Sequence, residues 1–159
     1  MISEGGYGII YKAKWRESIV AVKKFKIENG DVGIRDFLSE CHAMEAVRHP
    51  NIVMFLGVCT KNPNYSIILE YCSNGSLWSL LQNHEIKLPW EERRRISIEI
   101  ARAVLYLHLC DPPIIHRDLK SLNILLDDNY KVKIADFGWT KMLAEYMSSK
   151  IGTYQWMAP

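Results

Sequence analysis

The sequence predicts an α+β protein organised as a small sheet-rich part followed by a helix-rich part. Short β-branched and aromatic runs punctuated by turn residues fill most of the first part, and apolar residues at helical spacing mark the second. No internal repeat or low-complexity linker interrupts either part.

Residues 9–13 and 19–25 read as two strands separated by a polar turn. A helix is expected over 31–48, where Ile34, Phe37, Leu38, Cys41 and Val47 recur at helical spacing, with Asp31 placed to cap its start and His49-Pro50 to end it. Residues 52–60 and 65–71 read as two more strands, split by the turn-forming Lys61-Asn62-Pro63-Asn64. Behind the turn signal Ser73-Asn74-Gly75 comes a short helix, 76–82. A longer helix runs from Leu88-Pro89 to His108, with Pro89 in its first turn and Ile96, Ile100, Val104 and Leu107 as one apolar stripe. Arg93-Arg94-Arg95 faces elsewhere and reads as a solvated face, with a docking surface as the alternative. Residues 123–126 and 130–134 form a hairpin across Asp127-Asp128-Asn129.

A chain of 159 residues with 48% apolar side chains can bury one core. Its 20 basic and 18 acidic residues are spread evenly for a net charge of +2, so neither nucleic acid nor membrane is expected as a partner. Cys41, Cys59, Cys72 and Cys110 lie far apart with no C-x-x-C pair, which suits reduced thiols in a cytoplasmic protein better than zinc or a disulfide framework. No apolar stretch approaches the roughly 20 residues of a membrane span, so any anchor would lie outside this chain.

Four short motifs carry the chemistry. Ser3-Glu4-Gly5-Gly6-Tyr7-Gly8-Ile9-Ile10 is a glycine-rich strand-turn-strand whose backbone N–H groups can close over phosphates. In Val20-Ala21-Val22-Lys23, period-two alternation puts Ala21 and Lys23 on one face and Val20, Val22 and Lys24 on the other. Glu40 in the following helix shares an inward face with Phe37 and Cys41 and is the better partner for Lys23; Glu45 is the competitor. The third motif is His116-Arg117-Asp118-Leu119-Lys120-Ser121-Leu122-Asn123. The fourth, Asp136-Phe137-Gly138, follows the hairpin that comes directly after Asn123, which brings Asp136 and Asn123 to one place. A glycine-rich turn or a strand lysine is commonplace alone; the order and joint presence of all four is what carries weight.

Together these motifs resemble the catalytic domain of eukaryotic protein kinases across essentially the whole chain, with Ser3 standing where the first glycine of the loop is usual. The resemblance implies a bilobal fold, with a small N-terminal sheet lobe bearing one helix (1–71) and a larger helical lobe (72–159), here incomplete. It implies transfer of the γ-phosphate of ATP to protein hydroxyls with Mg²⁺ as cofactor. Ile2, Ser3, Gly5, Gly6, Tyr7, Gly8, Ile10, Ala21, Lys23, Glu70, Cys72, Leu125 and Asp136 would contact the nucleotide, the backbone of the 69–72 hinge holding adenine and Leu69 guarding the back of the pocket. Glu40 would position Lys23, Asp118 would orient the substrate hydroxyl, and Lys120 would neutralise the moving phosphoryl group. Asn123 and Asp136 would hold the metal. Met44, Phe55, His116 and Phe137 fall where the family stacks apolar residues that link its lobes.

Lys120 together with Gly152-Thr153 resembles the serine/threonine type, while Trp156-Met157 has a tyrosine-kinase flavour. The mixture resembles the tyrosine kinase-like group, meaning mixed-lineage and Raf-like kinases. A dual-specificity or tyrosine kinase is the first alternative. A catalytically silent scaffold would lack Lys23, Asp118 or Asp136, and all three are present; a small-molecule phosphotransferase of the same fold would not need the Gly152-Thr153 segment. The resemblance places a regulatory phosphate on Ser149, three positions before Gly152, with Arg117 to receive it and Thr153 in a structural role. It also implies that the catalytic domain extends past both ends of the chain. The helix 88–108 should then show an apolar flank, and these residues alone should be slow or inactive.

Overall fold

The glycine-rich segment folds back on itself as strands β1 (Ser3–Gly5) and β2 (Gly8–Trp15), and β2 turns on Arg16-Glu17 into β3 (Ser18–Phe25). Both turn residues have positive φ, 46° and 67°, which is the twist a two-residue hairpin needs. The computed structural model describes residues 1–5, 8–27, 31–137, 141–142 and 156. They divide into two units, Met1–Ala46 with Met54–Tyr71, and Val47–Val53 with Cys72–Pro159. The α+β class expected from the sequence is the one observed.

In the first unit, β4 (Phe55–Cys59) and β5 (Ser66–Glu70) complete an antiparallel sheet of order β1-β2-β3-β5-β4. Helix α1 (Asp31–Glu45) packs on it through Phe37, whose ring meets those of Phe25 and Tyr65 edge-on at 5.2 and 5.4 Å. Edge-to-face contacts of this kind contribute roughly 0.5–1.5 kcal/mol each beyond the area they bury. The buried stripe is Phe37, Glu40, Cys41 and Met44, and Leu38, expected inside, is 43% exposed.

The helix also ends three residues before the expected Arg48. Ala46 makes the last helical bond, to His42, whereas the Arg48 amide donates to the Tyr106 hydroxyl at 3.0 Å. Val47 is buried as part of the second unit. The strand expected from 52 likewise starts later, at Phe55, because Ile52 bridges Ile134 in parallel and Val53 donates to the Ile134 carbonyl at 2.9 Å. Local β propensity there is overruled by a partner far along the chain.

The second unit holds α2 (Leu77–Gln82), capped by the Ser76 hydroxyl, and α3 (Trp90–His108), with Pro89 at its N-cap and Glu91 and Glu92 in its first turn. α3 buries Ile96, Ala103 and Leu107 while Ile100 and Val104 are half-buried, so the closest packing runs along a slightly rotated stripe that admits the small Ala103. Ile98, Leu105 and Leu109 are exposed. Strand β6 (Ile114–Ile115) comes before a 3-10 turn at Ser121–Asn123; β7 (Ile124–Leu126) pairs with β8 (Val132–Ile134), and β9 (Lys141–Met142) pairs back on β6. The β7–β8 turn is closed by Asp127, whose Oδ1 accepts from the amides of Asn129 and Lys131 at 2.9 Å.

Arg95 corrects the reading of the arginine run as a solvated face. Its guanidinium binds Glu92 and Glu99 and donates to the Tyr130 carbonyl at 3.0 Å. No helix among the described residues is long and apolar enough to cross a membrane.

Candidate active site

In the first unit the site is built on β3. Cross-strand register sets Lys23 opposite Ile10 on β2 and Ile67 on β5, and Ala21 opposite Leu69. The Lys23 side chain is 9% exposed, and its Nζ lies 2.7 and 2.8 Å from the two carboxylate oxygens of Glu40. Glu45, the competitor, is exposed. Lys24 points the other way and donates to Asn64 Oδ1 at 2.8 Å. A bidentate contact on a buried carboxylate fixes both the charge and the reach of the lysine. Beside it, burial and then the charges of Glu40 and Glu45 push the Cys41 thiol up to about 11, so this cysteine is an inert core residue.

The glycine-rich strands register Ser3 with Ile10 and Gly5 with Gly8, and the Ile2 amide donates to the Ile10 carbonyl. A Cβ at Gly8 would collide with the backbone carbonyl of Lys24, so only glycine lets β2 run this close to β3. Gly6 and Tyr7 lie outside the described residues. At the end of β5, Glu70 makes two bonds with Met54: its amide donates to the Met54 carbonyl at 3.0 Å and its carboxylate accepts from the Met54 amide at 2.7 Å.

In the second unit a single loop gathers Asp118, Lys120 and Asn123. Asp118 Oδ2 accepts from Lys120 Nζ at 2.7 Å and from Asn123 Nδ2 at 3.0 Å, and the same Nδ2 donates to the Asp118 carbonyl at 2.8 Å. Asp118 and Asn123 are buried. His116 braces the loop from within: its Nε2 lies 3.0 Å from the Ala135 carbonyl and its Nδ1 is 3.4 Å from the Asp118 amide. Those partners select the neutral Nε2–H tautomer. Burial lowers the His116 pKa below 6.5, outweighing the Ala135 hydrogen bond and the charges of Asp136 and Asp118. Its ring meets Phe137 at 5.2 Å, edge to face.

Two backbone positions at the site are left-handed, Arg117 at φ 67° and Asp136 at φ 65°. Non-glycine residues pay about 1–2 kcal/mol for that conformation, and such strain gathers where side-chain aim matters. The Ala135 amide donates to the Asn123 carbonyl at 2.9 Å, which brings Asp136 beside the 3-10 turn that carries Asn123. Among the described residues the Asn123 side chain donates through Nδ2, to the Asp118 carbonyl and carboxylate, which leaves Oδ1 as the atom able to face a cation. No group of three or more His, Cys, Asp or Glu side chains able to hold a metal occurs among the described residues. One carboxylate with one amide oxygen fits a magnesium ion that keeps water and phosphate ligands, and does not fit zinc or a caged calcium.

A family model described as the protein kinase domain matches residues 1–159, the whole chain. The chain belongs to the protein kinase family. It is 44% identical to the probable serine/threonine-protein kinase SIS8 and to the serine/threonine-protein kinase CTR1, both of Arabidopsis thaliana, and 42% identical to the probable serine/threonine-protein kinase drkB of Dictyostelium discoideum. Each alignment covers 99% of this kinase chain but only 16%, 20% and 23% of the respective relative, so the chain spans between a sixth and a quarter of their length. Protein kinase domains use ATP with a divalent metal ion and act on protein substrates.

Of the other expected site residues of this kinase, Cys72 is a buried thiol at the start of the second unit's longer segment, and Leu125 is half-buried on β7 opposite Lys133. Arg117 is half-buried. Gly138, Ser149 and Thr153 lie outside the described residues. Glu99, which accepts from the Val132 amide at 2.8 Å, was missed by sequence reasoning, and Asn51, part of the His49-Pro50-Asn51-Ile52-Val53 run that fits the family, was given no role by it although it donates to the Val132 carbonyl at 3.1 Å. The helical i,i+4 spacing of Arg95 and Glu99 was the only available signal, and it says nothing of β8.

Proposed function

We propose that this chain transfers the γ-phosphate of ATP to serine and threonine hydroxyls of protein substrates. The observation that carries the reading is the Asp118–Lys120–Asn123 cluster, a buried carboxylate held by a cation and an amide on one oxygen. In the proposed step Asp118 accepts the substrate hydroxyl's hydrogen bond and aims its oxygen at the γ-phosphorus. The new O–P bond forms as the bond to the β–γ bridging oxygen breaks, ADP departs, and the hydroxyl proton passes to the Asp118 carboxylate. Lys120 offsets charge on the phosphoryl oxygens, and Lys23, fixed by Glu40, binds the α and β phosphates. Asn123 and Asp136 are the residues proposed to hold Mg²⁺, which when bound neutralises phosphate charge.

The nucleotide's adenine is proposed to lie against Ile10, Ala21 and Leu125 and to bond the backbone at Glu70 and Cys72, with Ile2, Ser3, Gly5, Gly6, Tyr7 and Gly8 over the phosphates. Lys120 with Gly152-Thr153 favours serine/threonine specificity, and the Trp156-Met157 pair favours placement in the tyrosine kinase-like group. A phosphate on Ser149 received by Arg117 is the proposed activating event. Four cysteine thiols, two buried and two half-buried, suit a reducing compartment, and a cytoplasmic location is proposed on that ground.

The test is transfer of labelled phosphate from ATP to a generic protein substrate by the whole protein, followed by identification of the labelled amino acid. Phosphoserine and phosphothreonine are expected, and Asp118→Asn should reduce the rate by about a thousandfold or more, the scale of losing several kcal/mol of transition-state stabilisation. Label on tyrosine alone would overturn the specificity. No label with intact nucleotide binding would leave a silent scaffold.

A further inference from the structure

Strand β8 carries Asp136 two residues beyond its end, and among the described residues only one of its edges meets another strand. The inner edge pairs with β7. The outer edge is completed piecemeal: the Val132 amide donates to Glu99 Oε2 at 2.8 Å, and the Val132 carbonyl accepts from Asn51 Nδ2 at 3.1 Å. Next along, the Ile134 amide donates to the Asn51 carbonyl at 2.8 Å and the Ile134 carbonyl accepts from Val53 at 2.9 Å. Val132 and Ile134 are fully buried, so each of these groups depends on its protein partner.

Glu99 is itself held in place. Its Oε1 takes a bond from Arg95 Nη1 at 2.9 Å, and Arg95 is bound in turn by Glu92 and spans to the Tyr130 carbonyl in the hairpin turn, where Tyr130 sits at φ 57°. One charge-assisted chain therefore fixes both the turn and the first residue of β8 to helix α3.

We propose that Glu99, oriented by Arg95, is a positioning residue for the divalent-metal site of Asn123 and Asp136; the inference rests on the assignment of that pair in the preceding subsection. The β8 strand leads straight into Ala135, whose amide is bonded to the Asn123 carbonyl, and then into Asp136. A displacement of β8 thus moves both oxygen donors, and Mg²⁺ tolerates little departure from octahedral geometry at short ligand distances. Alanine at 99 removes the acceptor that the buried Val132 amide has among the described residues, while leaving every proposed ligand in the sequence.

The experiment titrates MgCl₂ into the whole protein with a fluorescent ATP analogue, and then measures kcat at saturating Mg²⁺. Glu99→Ala should raise the Mg²⁺ concentration for half-maximal binding about tenfold, the lower end for partners that orient metal ligands, with kcat reduced no more than about threefold. Arg94→Ala, an exposed neighbour, should change neither. A Glu99→Ala protein with reduced kcat and an unchanged Mg²⁺ requirement overturns the proposal, because a purely structural residue lowers the active fraction alone. Where Glu99→Ala fails to fold, Arg95→Ala keeps Val132 satisfied and should still shift the requirement about threefold; no shift is equally fatal. Asp136→Ala, run in parallel, separates the two readings. If it too leaves the requirement unchanged, the metal assignment falls; if it alone changes it, only the role of Glu99 does.

Discussion

Replacing Glu40 with alanine strips the carboxylate from an ammonium whose side chain is 9% exposed. Breaking a buried ion pair from one side costs about 3–5 kcal/mol, because the remaining charge is left in a poor solvent. Taking about 3 kcal/mol, and a urea dependence of about 2 kcal/mol per molar for a protein of this size, the unfolding midpoint should fall by about 1.5 M. Glu45→Ala, on the same helix but exposed, should move it by less than about 0.3 M, as surface substitutions do. The double variant Lys23→Met with Glu40→Leu removes both charges and should recover to within about 0.5 M of the parent, while its phosphotransfer stays lost. Urea titrations of the four proteins, followed by fluorescence and circular dichroism, make the comparison. Equal shifts for Glu40→Ala and Glu45→Ala would show that the Lys23–Glu40 contact behaves as a solvated surface pair, and the desolvation argument would fail.

Two further outcomes are expected. Lys23→Met should abolish phosphate transfer while Lys24→Met, which loses only the exposed bond to Asn64, should leave it within about twofold; equal damage would mean that the functional face of β3 is misassigned. Because burial holds His116 neutral, the unfolded chain takes up a proton first as pH falls, so its contribution to stability is complete above 6.5 and is lost between 6.5 and the lower folded value. His49 shifts in the same direction, so the contribution of His116 is the difference between parent and His116→Gln, whose urea midpoint should fall less between about pH 7 and pH 5. Parallel pH curves would refute it.

What could be read from the sequence follows from how local each contact is. Asp118, Lys120 and Asn123 lie within six positions of each other, so the motif and the cluster are nearly the same object. Lys23 and Glu40 were legible because strand alternation gave one an orientation and helical phase gave the other a face. Helical phase failed at Leu38: apolar residues at plausible spacing were taken as the stripe, but the buried face includes Glu40, and a charge enters a core only with a partner that the stripe itself cannot reveal. The greater loss was 47–53. Ile52 and Val53 have strand-like side chains and were joined to the strand that follows them, yet their partner is Ile134, some eighty residues on. Likewise the arginine run had the composition of a solvated face, and it takes Glu92, Glu99 and the Tyr130 carbonyl together to tie Arg95 down.

The chain crosses between its two units after residues 46, 53 and 71, so one cut does not part them. Cleavage at 71/72 would yield a second fragment that keeps α3 and the β7–β8 hairpin but has lost Asn51 and Val53. The Val132 carbonyl and both backbone groups of Ile134, at two fully buried positions, would then lose these partners. At about 1–3 kcal/mol for each orphaned group, the deficit rivals the whole stability of a small domain, about 5–15 kcal/mol. The chain runs through the second unit twice, and the 47–53 strap is its first pass. Chimeras that exchange the second unit between relatives at position 72 would therefore graft a hairpin onto a foreign edge, while exchanges that carry 47–53 along with it would keep the seam intact.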